Sequence, residues 1–218
     1  GACAPHGVPV TLKMRTGWAQ HAKNALTLAL AAQDAGVAML TIHGRTREQG
    51  YKGFAEHETV ANIKSRVSIP VVANGDVNSP QAAKAVLAAT GADAVMVGRA
   101  AQGRPWLFRE IAHYLATGQE LAAPTPQELS QWMLAHLAEH HALYGEFTGV
   151  RSARKHLGWY AQSLPSGDVL RKHVNRITDA QQQIAAVQDY FDAWAAEQLH
   201  ELPALWRATQ QAQTEHAQ

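Results

Sequence analysis

One cysteine, Cys3, stands in 218 residues, and that scarcity excludes an internal disulfide framework. It suits a reducing compartment, so cytoplasm is the expected location. Charge of one sign is lacking too. The 19 Lys and Arg against 18 Asp and Glu leave a formal charge of +1, so any basic surface must be local. No apolar run approaches the roughly 18 residues of a membrane span. The start, Gly1 rather than Met, lacks the charged-then-apolar order of a secretory leader. A soluble protein is expected and, because the first strand-like run begins only at Val8, a piece of a longer one. Metal-ligand spacing is also wanting: His136, His140 and His141 share one helix without a nearby acid or thiol, which reads as a solvent-facing stripe, and no metal is expected. Cys3 precedes the first strand with no evident neighbouring base and receives no role.

What is present divides in two. From Val8 to about Ile111 strand and helix patterns alternate, the signature of a parallel sheet covered by crossover helices. Strands are expected at 8–14, 37–42, 68–73 and 94–97, with helices at 23–35, 58–65, 79–89 and 106–115. Ser79-Pro80 supplies an N-cap and a first-turn proline, and Gly91 a stop. Polar strings close the strands: Lys13-Met14-Arg15-Thr16-Gly17, His43-Gly44-Arg45-Thr46, Asn74-Gly75-Asp76 and Gly98-Arg99-Ala100. Lys13, His43, Asn74 and Gly98 lie 30, 31 and 24 residues apart, close to one βα unit each, and four such units make half a barrel whose strand ends build a site.

Past Ala122-Ala123-Pro124 strand signals vanish. Thr125-Pro126-Gln127-Glu128 combines a capping box with proline at the first helical position, and Thr178-Asp179-Ala180-Gln181 repeats the box pattern. Helices are expected near 126–143, 149–162, 167–175 and 179–197, joined around Gly145 and Pro165-Ser166-Gly167. The fold class is therefore α/β: half of a barrel over 1–121, which the family resemblance given below makes the second half of a (β/α)8 TIM barrel, then an all-α helical-bundle domain over 125–200, then a frayed tail over 201–218.

The strand-end strings suit a phosphorylated cofactor, because glycines admit backbone N–H donors at close range and cations balance the phosphate. Gly75, Gly98 and Arg99 fit that role. Lys13, between Leu12 and Met14, is expected to be buried and to need a partner such as an anionic cofactor. His43 is placed to donate to a phosphate or a ring carbonyl. Asn74 offers a donor and an acceptor to a ribityl chain or heterocycle edge, and Asp76 either joins it or caps the next turn. In the second domain Arg151, Arg154, Lys155, Arg171, Lys172 and Arg176 face one acid, Asp168. Arg151, Arg154 and Lys155 share a helical face with Trp159 and Tyr160 nearby, a pattern suited to a phosphate backbone with exposed bases.

The strings Leu12-Lys13-Met14-Arg15-Thr16-Gly17-Trp18, Thr41-Ile42-His43-Gly44-Arg45-Thr46-Arg47, Ala73-Asn74-Gly75-Asp76 and Gly98-Arg99-Ala100-Ala101-Gln102-Gly103-Arg104-Pro105-Trp106 resemble those of the tRNA-dihydrouridine synthases, in their bacterial B subgroup. The resemblance runs from Val8 to Glu197 and includes Arg151-Ser152-Ala153-Arg154-Lys155-His156. It implies an FMN-binding TIM barrel followed by a four-helix tRNA-holding domain, and reduction of tRNA uridines to 5,6-dihydrouridine with NADPH. On that resemblance Lys13 and His43 approach the flavin, Asn74, Gly75 and Asp76 line its ribityl and phosphate side, Gly98 and Arg99 bind the phosphate, and Arg151, Arg154 and Lys155 hold tRNA. The cysteine acid of that family belongs to a barrel half upstream of the Lys13 strand, so this chain alone is expected to carry half the flavin site and no turnover. Two other readings are a small-molecule FMN reductase of the dihydroorotate dehydrogenase type and a non-catalytic tRNA-binding module.

Overall fold

A computed structural model describes residues 3–208, which separate into two compact units: 3–101 with 105–121, and 102–104 with 122–208. In the first unit β1 (Thr11–Arg15), β2 (Met39–His43), β3 (Val71–Asn74) and β4 (Ala94–Met96) form a wholly parallel sheet in sequence order. Helices α1 (Ala25–Asp34), α2 (Glu58–Lys64), α3 (Pro80–Thr90) and α4 (Leu107–Thr117) follow the strands one by one. The period of two along each strand explains the layering. Leu40, Ile42, Val71 and Ala73 join Ala25, Ala29, Val60, Ile63, Ala83, Val86 and Leu107 in one core cluster, with Leu12, Met14 and Val95 packed against it. The alternate residues, Lys13 and Arg15, Thr41 and His43, Val72 and Asn74, Ala94 and Met96, take the other face. Leu40 is wholly buried, so Leu40→Ala would cost about 2–5 kcal/mol.

Local signals set the helix ends. Ser79 Oγ accepts from Ala82 N at 3.0 Å, Pro80 opens α3, and Gly91 ends it in the left-handed region at φ 64°. The first strand starts later than its apolar run suggests. Pairing with β2 begins only at Thr11 against Met39, and Val8 and Val10 are exposed.

The second unit is helical: α5 (Pro126–Tyr160), α6 (Gly167–Val174) and α7 (Ala180–Ala195), α7 packing on α5. Both halves of the capping box form at Thr125, whose Oγ1 accepts from Glu128 N while Glu128 Oε2 accepts from Thr125 N at 2.9 Å. Gly145, at φ 68° and ψ 171°, breaks α5 into two legs. The second leg returns along the first closely enough that a Cβ on Gly149 would lie 3.1 Å from His141 Cα. At α7 the cap is Asp179, whose Oδ1 accepts from Gln182 N at 2.8 Å, rather than Thr178. Gln183, fully buried, donates from Nε2 to Val150 O and accepts from His141 Nε2 at 2.9 Å.

The tail expected to fray over 201–218 is ordered over its first part. Residues 202–208 are helical, Leu202 and Trp206 are buried, Trp206 Nε1 donates to Asp189 at 3.0 Å, and its ring stacks on His173 at 3.9 Å. Indole burial and one satisfied donor outweigh the polar composition around them. Residues 209–218 lie outside the described residues. Among the described residues no helix is long and apolar enough to cross a membrane.

Candidate cofactor and nucleic-acid sites

Parallel register brings Arg15, His43, Asn74 and Met96 side by side at the carboxyl ends of the four strands, on the face away from the core. Asn74 Nδ2 donates to Met96 O at 2.8 Å, which fixes the amide plane across two strands. His43 is 8% exposed. Burial, then the positive charges of Arg15, Lys13 and Arg45, lower its pKa to about 4 against an opposing pull from Asp76, so the imidazole is neutral at pH 7. Lys13 lies one register step back beside Thr41. It is exposed rather than buried, since β1 is an edge strand, and no acid pairs with it among the described residues. Partial desolvation and the Arg15 charge lower its pKa.

Two arginines brace the loop between β2 and α2. Arg15 Nη1 donates to Thr46 O at 2.8 Å and Gly50 O at 3.0 Å. Arg45, 3% exposed, donates from Nη2 to Gly53 O at 2.7 Å and to both Asp76 carboxylate oxygens at 2.8 and 2.9 Å. Asp76 also accepts from Ala55 N at 2.7 Å. Its desolvation raises the pKa, but the Ala55 N–H, Arg45 and Arg99 outweigh it and the carboxyl stays below its ordinary value. Asp76 thus neither caps the following turn nor presents a free acceptor; it holds Arg45 and the loop, from a left-handed φ of 53°.

Gly75 has φ 125°, and a Cβ there would sit 2.5 Å from Ala55 Cβ and 3.2 Å from His43 Cδ2, so glycine is demanded by its own neighbours. Gly98 differs. Its φ is outside the left-handed range and a Cβ would meet nothing within 4 Å. Arg99 opens a 3₁₀ turn, Arg99–Ala101, with its side chain 59% exposed, 4.0 Å from Asp76 Oδ1 and 4.7 Å from the Tyr51 ring centre. Tyr51 also lies 5.9 Å from Arg15, so one exposed aromatic ring connects the cations of two strand ends.

In the second unit Arg151, Arg154, Lys155, Gly158, Trp159 and Arg171 line an open groove of about 430 Å³. Arg151 lies over Phe147 at 4.3 Å and Lys155 over Trp159 at 5.1 Å. Arg154 is half-buried and spends Nη2 on Ile177 O at 2.7 Å, so it joins α5 to the segment after α6 as well as adding charge. The histidines of α5 are not a solvent-facing stripe. His136, His140 and His141 are each partly buried and hydrogen-bonded, to Tyr160, Ser152 and Gln183.

Sequence reasoning passed over Arg15, Arg45 and Tyr51. Arg15 could have been found, because two residues beyond Lys13 on a strand is the same face. Arg45 and Tyr51 carry no such signal, since their partners lie 31 and 48 residues away.

Comparison with known proteins bears on this arrangement. The dihydrouridine synthase (Dus) family model matches residues 4–195. The chain is 56% identical over 189 residues to a tRNA-dihydrouridine synthase B of Xanthomonas axonopodis pv. citri, covering 87% of this chain and 57% of that protein. Its identity to the protein of that name from Pseudomonas aeruginosa is 55% over 185 residues, covering 84% and 55%. With the one from Salmonella typhimurium it is 50% over 189 residues, covering 86% and 59%. The chain thus spans somewhat more than half the length of the curated relatives it matches. A family match across nearly all of both units, with strand-end strings set in one register, establishes that the chain belongs to the dihydrouridine synthase family.

Proposed function

We propose that the chain serves FMN-dependent, NADPH-driven reduction of tRNA uridines to 5,6-dihydrouridine, as an oxidoreductase of the cytoplasm where tRNA is found. In this reading its four βα units, within 1–121, are the second half of a (β/α)8 barrel, and 125–200 is a helical tRNA-holding domain. The observation that carries it is the row of Arg15, His43 and Asn74 at the strand ends, with Gly98 and Arg99 beyond it.

The residues fit an FMN phosphate. Gly98 leaves open the space a Cβ would fill, its amide adjoins an exposed arginine, and Lys13 and Arg15 add positive charge on the same face. When bound, FMN supplies the hydride chemistry at the base. His43, neutral at pH 7, donates an N–H to a ring carbonyl without adding charge, and Asn74 offers its remaining amide oxygen. Asp76 acts through Arg45 and keeps Gly75 against His43. Arg151 and Lys155 take tRNA phosphates, Trp159 offers a stacking face, and Arg154 positions the groove. The target uridine leaves its stack to reach the strand-end row. Cys3 lies exposed before β1 rather than in that row, so the chain by itself binds flavin and tRNA without turnover.

Titrating FMN into the protein and following quenching of its fluorescence tests the flavin site. Saturable quenching that Arg99→Ala weakens is expected, and tRNA binding without any flavin binding would sink the reading. Dihydrouridine measured in tRNA incubated with the protein, FMN and NADPH tests turnover. Formation at the rate of an intact relative would overturn the last inference alone.

A further inference from the structure

We propose that helix α5 carries a divalent transition-metal site formed by His136, His140 and His156, within the helical unit and independent of the flavin reading. Spacing of four residues sets His136 and His140 on one face of the first leg. The break at Gly145 folds the second leg back and delivers His156 opposite them. One ring nitrogen from each lies within 4.8 Å of the others. A tetrahedral ion with bonds of about 2.0–2.1 Å needs ligand nitrogens about 3.4 Å apart, which is within reach of small ring rotations. The rings meet edge to face: centroids 5.0 Å apart for His136 and His156, 5.1 Å for His140 and His156, and 6.2 Å for His136 and His140. The ring planes are steeply inclined to one another, and it is the nitrogens, one from each ring, that come together.

The surroundings are those of a ligand site rather than a solvated patch. The three imidazoles line a cavity of about 10 Å³, the scale of a single water or ion, walled by Met133, Leu137, Ala153 and Leu157. Two rings are held by hydrogen bonds. Ser152 Oγ donates to Thr148 O at 2.6 Å, so His140 Nε2 donates to Ser152 Oγ at 2.7 Å, which sets the His140 tautomer and leaves its other nitrogen unprotonated. His136 Nδ1 contacts Tyr160 Oη at 3.2 Å, leaving one nitrogen likewise. The donor set is all imidazole, with no carboxylate or thiolate. That selects Zn²⁺, Co²⁺, Ni²⁺ or Cu²⁺ over Mg²⁺ and Ca²⁺, with water completing four ligands. Bound there, the ion clips the two legs of α5 together and favours the folded state over the unfolded one.

Cobalt(II) added to chelator-treated protein, in a Cys3→Ser background that removes the sole thiol, reads the site directly. The result expected is visible d–d absorption that saturates at a single equivalent and is displaced by Zn²⁺, with Zn²⁺ raising the melting temperature. His140→Gln and His156→Gln, each shown folded by circular dichroism, abolish both effects. Ser152→Ala weakens binding about tenfold, and His21→Gln, on the exposed surface of the other unit, changes nothing. Absence of the bands in the parent protein, or their persistence in both histidine variants, overturns the proposal. Should one variant fail to fold, the other and the parent titration decide.

Discussion

Near the strand-end row most of the guanidinium hydrogen bonds go to the protein itself, whereas along the groove of α5 the cations lie over aromatic rings and face outward. Arg15 and Arg45 are committed to the carbonyls of residues 46, 50, 52 and 53 and to Asp76. Arg151 and Lys155 rest on Phe147 and Trp159 at the rim of an open groove. The first arrangement gives a fixed geometry, as a bound cofactor needs; the second gives charge with freedom to adapt, as a long polyanion needs. Arg99 and Arg154 are the exceptions: an exposed cation in the rigid unit and a tethered one in the adaptable unit.

That contrast can be broken most forcefully at Arg45. Arg45→Met leaves Asp76 without its bidentate partner and two loop carbonyls without a donor, and urea unfolding should show a loss of about 3–5 kcal/mol. Arg151→Ala should cost under about 0.5 kcal/mol by the same measurement, as expected for an exposed side chain. A small effect at Arg45 would show that the loop is held by something other than its ion pair.

Acid probes the row next. His43 titrates near 4 in the folded chain against an ordinary 6.5, so between those values the unfolded chain binds the extra proton. Stability contributed by this ring is complete above about pH 6.5 and is lost as pH falls toward 4, by at most about 3 kcal/mol. Urea midpoints at pH 7 and pH 4.5 should differ less in His43→Gln than in the parent.

The two glycines of the site should separate cleanly. Gly75→Ala forces a Cβ into Ala55 and a left-handed backbone on a residue with a side chain, at about 1–3 kcal/mol. On the groove, Arg151→Ala and Lys155→Ala should each lower the slope of log tRNA affinity against log salt by about 0.7–1, while Arg154→Ala should in addition destabilise the helical unit. Gly98→Ala should leave stability within about 0.5 kcal/mol and weaken FMN binding all the same. Loss of stability there would mean that the glycine serves the chain and not a ligand.

Much of this was legible because it depends on neighbours in sequence. Ser79-Pro80, Thr125 with Glu128, and the stop at Gly91 act over one helical turn, so spacing alone reveals them. The spacing of one βα unit put His43 and Asn74 at successive strand ends, and the register sets them side by side. The exposure of Lys13 was not legible, because burial depends on which strands flank it, and in this four-stranded sheet β1 is at an edge. The solvent-facing histidine stripe failed similarly: whether a helix face meets water or another helix depends on how the chain turns at Gly145.

The sequence by itself determined the order of strands and helices, the caps at Ser79 and Thr125 and the residue types at each strand end, since these follow from periodicity and local hydrogen bonding. Only the tertiary structure decided that Arg45 pairs with Asp76 31 residues away, that Tyr51 lies between Arg15 and Arg99, and that His156 meets His136 and His140. Those contacts close long loops and desolvate charged or polar groups, so their geometry exists only once the packed core has fixed where each backbone runs.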